Sequence, residues 1–227
     1  MHSIKTLGRL LLPYAAALLT AVTFVASASA QDLVEGKQYV RVKNPLPVEK
    51  GSKIEVLEFF SYGCPHCADL EPEIQAWAKT IPADVSFVRV PVAFQDRWIA
   101  LARIYYTLDA LGVEPKYSME VFTAIHKGGV NLASDKTFFD WAAAKGLDRK
   151  KVEDVYNSFA ISGKLNRAKS EAQKFNIQSV PTVVVDGKFI TAPDKAGSHA
   201  AMPPTINALI AKARAEPAVG RLLHHPG

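Results

Sequence analysis

Cysteine is nearly absent from this chain: 227 residues contain two. Exported proteins held together by bridges carry several cysteines at wide spacing, so a disulfide scaffold is excluded. Charge of one sign is also in short supply. The 27 basic and 22 acidic residues leave a formal charge of +5 without long basic runs, which describes a solvated mixed surface and not a nucleic-acid-binding patch. Beyond the N-terminus no segment is long and apolar enough to span a bilayer. Internal repeats, low-complexity tracts, a glycine-rich phosphate loop, a hydrolase triad and a paired carboxylate site are all missing.

The N-terminal stretch MHSIKTLGRLLLPYAAALLTAVTFVASASA places His2, Lys5 and Arg9 before an uncharged apolar run that ends in Ala28, Ser29 and Ala30. Basic, apolar and small residues in that order form a secretory signal peptide with an A-x-A cleavage site. The alternative is a retained anchor, because the run is nearly long enough to cross a membrane. Pro13 early in the run and the small residues at its end favour cleavage after Ala30. Loss of Lys5 and Arg9 lowers the formal charge to +3, and the remainder is ample for one sizeable domain with its own core.

Lys53 to Phe60, KIEVLEFF, reads as a strand buried on both faces, with Glu58 the exception in it. Leu70, Ile74, Trp77 and Ile81 then recur at helical spacing, with Pro65 where a first turn tolerates proline. Pro72 inside that pattern predicts a kink. Asp84 to Val92 reads as a second inner strand, completing a β-α-β unit. From Asp96 to Phe175 the pattern is helical throughout. One stripe joins Trp98, Leu101, Tyr105 and Leu108, and another joins Met119, Phe122 and Ile125. Gly112, Gly128, Gly129 and Gly146 fall where helices end. Thr182 to Val185 and Lys188 to Thr191 flank Asp186 and Gly187, a hairpin signature, and a last amphipathic helix carries Ile206, Leu209, Ile210 and Ala213. The tail from Glu216 to Gly227 has no such pattern, and His224 and His225 within it read as solvated.

The two cysteines stand in the stretch EFFSYGCPHCADLEPEI, separated by Pro65 and His66. Three readings compete: a staple, half of a metal site, or a reversible dithiol couple. A bridge from Cys64 to Cys67 closes too short a loop to hold a domain together. Cys64, His66 and Cys67 are all zinc ligands, yet a closed site needs four, and His126 and His199 lie in unrelated segments. Haem attachment needs a histidine where this chain has Ala68. Redox chemistry remains. Cys64 at a helix start faces unpaired N–H groups and the positive end of the macrodipole, which favour a thiolate. His66 adds to this as a donor or cation, and Pro65 forgoes an N–H that has no helical partner. Cys67, one turn on and less exposed, is placed to attack a mixed disulfide on Cys64 and release the substrate.

C-P-H-C after an E-F-F strand, a long helical insertion, and V-P-T-V-V-V before a hairpin and last helix together resemble the DsbA family of periplasmic thiol:disulfide oxidoreductases. The resemblance covers nearly the whole exported chain. It implies an α/β thioredoxin fold with an inserted all-helical domain: residues 31–93 and 178–215 as the two thioredoxin-like parts, 94–177 as the insertion, 1–30 as signal peptide and 216–227 as flexible tail. It also implies a soluble monomer in the periplasm of a Gram-negative bacterium that oxidises newly exported proteins, is recharged by a membrane quinone-linked partner of the DsbB type, and needs no cofactor. Val180 and Pro181 match a cis-proline motif that faces the cysteines and binds substrate. Glu58 matches a buried acid, whose burial raises its pKa and lets it exchange a proton with Cys67. Gly63 departs from the family pattern and is expected to loosen the turn before Cys64. Arg89 is a candidate basic partner for Glu58. A reductase or isomerase would use the same dithiol chemistry, and a metal-binding folding helper is the alternative from another class.

Overall fold

Every residue of strand β2, Ile54–Phe60, is buried, because this strand has a neighbour on each edge and a layer on each face. The computed structural model describes residues 33–46 and 53–216. Residues 1–30, read from the sequence as a signal peptide, and the tail beyond 216 lie outside the described residues. Five strands form one sheet in the order β1-β5-β4-β2-β3, with β1 at Val40–Arg41, β3 at Val85–Pro91, β4 at Thr182–Val185 and β5 at Phe189–Thr191. Strand β2 runs parallel to β3 and antiparallel to β4. The parallel pair is joined by helix α1, Pro65–Ala78, which is the crossover that parallel strands require.

Two apolar cores flank the sheet. On one side Val56, Val183, Val185 and Phe189 meet Leu70, Ile74 and Trp77 of α1 together with Ile206, Leu209 and Ile210 of the last helix, α8 at Met202–Ala215. On the other, Leu57, Phe59 and Val184 pack beneath the helical segment. That segment comprises α2 (Asp96–Ala110), α3 (Glu114–His126), α4 (Asp135–Ala144), α5 (Arg149–Tyr156) and α6 (Phe159–Lys174), all inserted between β3 and β4. A four-residue helix, α7 at Pro193–Ala196, precedes α8. Ser134, Asp148 and Ser158 cap α4, α5 and α6 by accepting backbone N–H groups three residues on, which closes donors that the helices leave open. Glu216, which the sequence placed at the head of the tail, accepts a fork from Arg41 at 3.0 and 2.6 Å.

Helix α1 continues through Pro72 as one element. The α2 stripe is buried as its spacing predicts, but of the α3 stripe only Phe122 is buried. The buried residues of α3 are Glu114, Tyr117, Ser118, Val121 and Phe122, whereas Met119 and Ile125 are only partly buried. Apolar periodicity misplaced this face because two of its inward residues are polar, and both have buried partners described below.

The β4–β5 hairpin turns through Asp186 and Gly187 with φ of 54° and 62°, the left-handed pair of a type I′ turn. A Cβ on Gly187 would lie 2.3 Å from the carbonyl oxygen of Leu46. Gly187→Ala should therefore combine a positive-φ penalty with a backbone clash and destabilise the protein by about 1–3 kcal/mol. The check is a lower urea midpoint with an unchanged m-value.

Candidate active site

Strand β2 ends at Phe60 and α1 begins at Pro65, so residues 61–64 must reverse direction in one tight turn. Ser61 holds it: its carbonyl accepts from the Cys64 N–H at 3.0 Å and its Oγ from the Gly63 N–H at 3.1 Å. Gly63 does not loosen this turn, as the sequence suggested. A Cβ there would fall 2.3 Å from Nε1 of Trp98, so glycine is what lets the indole of α2 close over the turn. Trp98 Nε1 is buried without a hydrogen-bond partner among the described residues. Directly before Gly63, the Tyr62 carbonyl lies 2.8 Å from Nε2 of His126. A carbonyl only accepts, so Nε2 carries the proton. The two elements that grip the turn both belong to the helical segment.

Cys64 occupies the N-cap position of α1 in extended conformation, with Pro65 at the first helical residues. Both cysteines are free thiols. Cys64 is itself largely covered, at 6% exposure, with Cys67 deeper at 2%. The Cys64 pKa is lowered to about 6, chiefly because the Cys67 thiol donates to its sulfur. The N–H groups of Cys67 and His66 and the imidazole of His66 add to this against the cost of burial. The Cys67 pKa is pushed up by burial and by the neighbouring Cys64. One sulfur of the pair is thus an anion near neutral pH and the other its proton donor.

The Val180–Pro181 bond is cis, and the Val180 carbonyl lies 3.4 Å from the Cys64 sulfur. A residue 116 positions away in the chain is therefore in contact with the nucleophile. Among the described residues His66, Asp69 and His199 bring ligand-type atoms within 4.8 Å of one another. His126 and His199, set apart from the motif by the sequence reading, are thus both drawn to it, one behind the turn and one in front.

Beneath the cysteines lies a charge cluster that sequence alone only began to outline. Glu58 and Arg89 are opposite each other on β2 and β3, with Arg89 Nε donating to Glu58 at 2.7 Å. The same guanidinium donates to Glu71 of α1 at 2.6 and 3.2 Å and to Glu114 of α3 at 3.0 Å. It also donates to Ser118 at 3.0 Å and lies over the Phe60 ring at 4.1 Å. Tyr62 OH donates to Glu114. Three carboxyl groups share one cation in a space almost without water, and they cannot all ionise freely. Burial pushes the Glu58 pKa up to about 7, with Glu71 and Glu114 adding to the rise and Arg89 opposing it. Burial raises Glu114 as well. Glu58 is close enough that its charge also helps hold the Cys67 thiol protonated. Sequence reasoning missed Glu71 and Glu114. Glu71 carried a signal, since it stands four residues after Cys67 on the inward face of α1, whereas Glu114 looks like any acid at a helix start.

Residues 55–199 match the family model described as a DSBA-like thioredoxin domain. The thiol:disulfide interchange protein DsbA of Pseudomonas aeruginosa is 44% identical over 174 residues, spanning 77% of this chain and 82% of that protein. Its counterpart in Bordetella pertussis is 40% identical over 201 residues, spanning 88% and 95%. Among solved structures, Pseudomonas aeruginosa DsbA superposes with a TM-score of 0.78 at 42% identity, over 82% of this chain and 97% of that one. Reduced DsbA1 from Neisseria meningitidis gives 0.72 at 31% identity, over 81% and 96%.

Replacing the shared cation exposes what it holds. Arg89→Met should cost about 3–5 kcal/mol, because buried carboxyl groups lose their partner. The loss should be smaller at pH 5 than at pH 8, since protonation relieves uncompensated carboxylates. Urea unfolding of both proteins at the two pH values measures it.

Proposed function

The chain belongs to the family of DSBA-like thioredoxin-domain proteins, and from that membership we propose that it donates the disulfide between Cys64 and Cys67 to newly exported proteins. It is a thiol:disulfide oxidoreductase. The observation that carries the direction of transfer is the low pKa of Cys64 at the start of α1. A thiolate stabilised only in the reduced form makes the disulfide a willing electron acceptor.

A substrate thiolate attacks the Cys64 sulfur. The S–S bond breaks with its electron pair on Cys67, which takes up a proton, and a mixed disulfide forms on Cys64. Glu58, with its pKa near neutrality, supplies that proton from beneath. The second substrate thiolate then attacks the substrate sulfur of the mixed disulfide, forming the substrate's own disulfide and expelling Cys64 as its stabilised thiolate. Two electrons have moved from substrate to enzyme. Cys64 and Cys67 are catalytic. Pro65, His66 and Glu58 tune the couple, and Val180 with Pro181 receives the extended substrate beside Cys64, as a strand edge receives a peptide. The protein works as a monomer in the periplasm, and a membrane quinone-linked reductase of the DsbB type reoxidises it.

Cys67→Ala should leave the Cys64 thiolate able to attack the disulfide of an oxidised substrate, expelling one substrate sulfur as a thiolate and forming a mixed disulfide, but it removes the thiol that resolves that bond from the enzyme side. Covalent adducts through Cys64 should accumulate on non-reducing gels and in mass spectra, and Cys64→Ala should form none. The reverse pattern would exchange the two roles.

The Cys64 pKa near 6, against about 8.5 for an unperturbed thiol, gives the reduced form a pH-dependent advantage over the oxidised one. A depressed acid stabilises the fold fully above its unfolded pKa and loses that contribution as pH falls through its folded pKa. The advantage should therefore grow between about pH 6 and 8 with a slope of at most about 1.4 kcal/mol per unit. The raised pKa of Glu58 acts oppositely, and because its main cause is burial, which does not depend on the state of the cysteines, it largely cancels in the difference. Paired urea unfolding at pH 6 and 8 tests this, and an equal difference at both would remove the stabilised thiolate from the explanation.

A further inference from the structure

His199 stands in the turn between α7 and α8, which local hydrogen bonds hold in place. Gly197 ends α7 in left-handed conformation with φ of 99°. Ser198 Oγ accepts from the Ala201 N–H at 3.1 Å, and the His199 carbonyl accepts from the Met202 N–H at 3.0 Å. The His199 ring is thereby set in front of the first turn of α1, 6.4 Å from the ring of His66 with the two planes 25° apart. Asp69, three residues along α1, directs Oδ2 to within 3.9 Å of His66 Nδ1. One nitrogen from each ring and one Asp69 oxygen lie within 4.8 Å of one another.

We propose that His66, Asp69 and His199 form a binding site for a divalent transition metal ion of the zinc(II) class, at the mouth of the redox site. Two imidazoles and one carboxylate are a donor set that suits borderline ions and disfavours magnesium or calcium, which take oxygen ligands. Three protein ligands leave a fourth position open, as in zinc sites that exchange a ligand. Bonds of about 2.0–2.1 Å hold tetrahedral ligand atoms about 3.3 Å apart, so the present group is slightly open. His66 and Asp69 are exposed, and side-chain rotation alone can close it. An ion pair between His66 and Asp69 does not account for the arrangement. Their separation is too long for a hydrogen bond, the pair is solvent-exposed and thus weak, and it leaves the placement of His199 unexplained. The positive end of α1 opposes a cation here, and the Asp69 carboxylate supplies the charge that offsets it.

The site lies outside the cysteine pair, so it can be tested with the thiols removed from competition. Zinc(II) is titrated against a chromophoric chelator into the oxidised chain, in which both sulfurs are tied in the disulfide and His224 and His225 are replaced by alanine. One zinc ion per chain is expected. His199→Ala and Asp69→Asn should each weaken it by at least about tenfold, while both variants still donate disulfides to a reduced peptide. No stoichiometric zinc binding by the oxidised chain, or affinity unchanged in His199→Ala, overturns the site. If His199→Ala instead loses disulfide donation and keeps its zinc affinity, the metal site is likewise rejected and His199 belongs to the exchange reaction.

Discussion

A single buried guanidinium ties two strands, the crossover helix and the inserted helical segment together. Arg89 lies in strand β3 and reaches Glu58 on β2, Glu71 on α1 and Glu114 on α3. Those contacts lock the β-α-β unit internally and fasten it to helix α3 of the insertion. Replacing such a cluster by packed apolar residues often stabilises a protein, whereas removing one partner alone is costly. Burial, with two further acids around the one cation, leaves the Glu58 pKa raised to about 7.

The redox pair feels that cluster through Glu58, and its asymmetry follows from where each sulfur stands on the helix. Cys64, at the helix start, meets N–H groups, and Cys67, one turn inside, meets apolar residues and a carboxyl group. The same helix therefore stabilises one sulfur as an anion and keeps the other as a thiol. Ser61 holds the turn from within the β-α-β unit, and the helical segment braces it from outside, by Trp98 closing on Gly63 and by His126 donating to the Tyr62 carbonyl. The helical segment is thus part of the site as well as a cover for one face of the sheet.

Much of this was legible before any coordinate was known. The buried strand, the helix start at Pro65, the hairpin at Asp186–Gly187 and the last helix are local patterns, each settled by apolar period or by backbone preference within a few residues. The pairing of the cysteines and the likeness to the DSBA-like family were equally plain. What misled was polarity on buried faces. Helix α3 turns Glu114 and Ser118 inward, where they meet Arg89 and Tyr62, and a period count over apolar residues alone selects its neighbours instead. Gly63 misled in the same way, since a glycine chosen for a close approach looks like one chosen for freedom.

The amino-acid order by itself determined which groups carry the chemistry and which element each belongs to, because strand, helix and turn preferences act over a few neighbours. Only the tertiary structure decided what surrounds them. It gave Arg89 three acids in place of the one candidate, brought His126 behind the active-site turn and His199 in front of it, and laid the Val180 carbonyl against the sulfur of Cys64. Those contacts join residues far apart in the chain, and the energies that create them, burial of charge and close packing, depend on distance in space and leave no periodic trace in sequence.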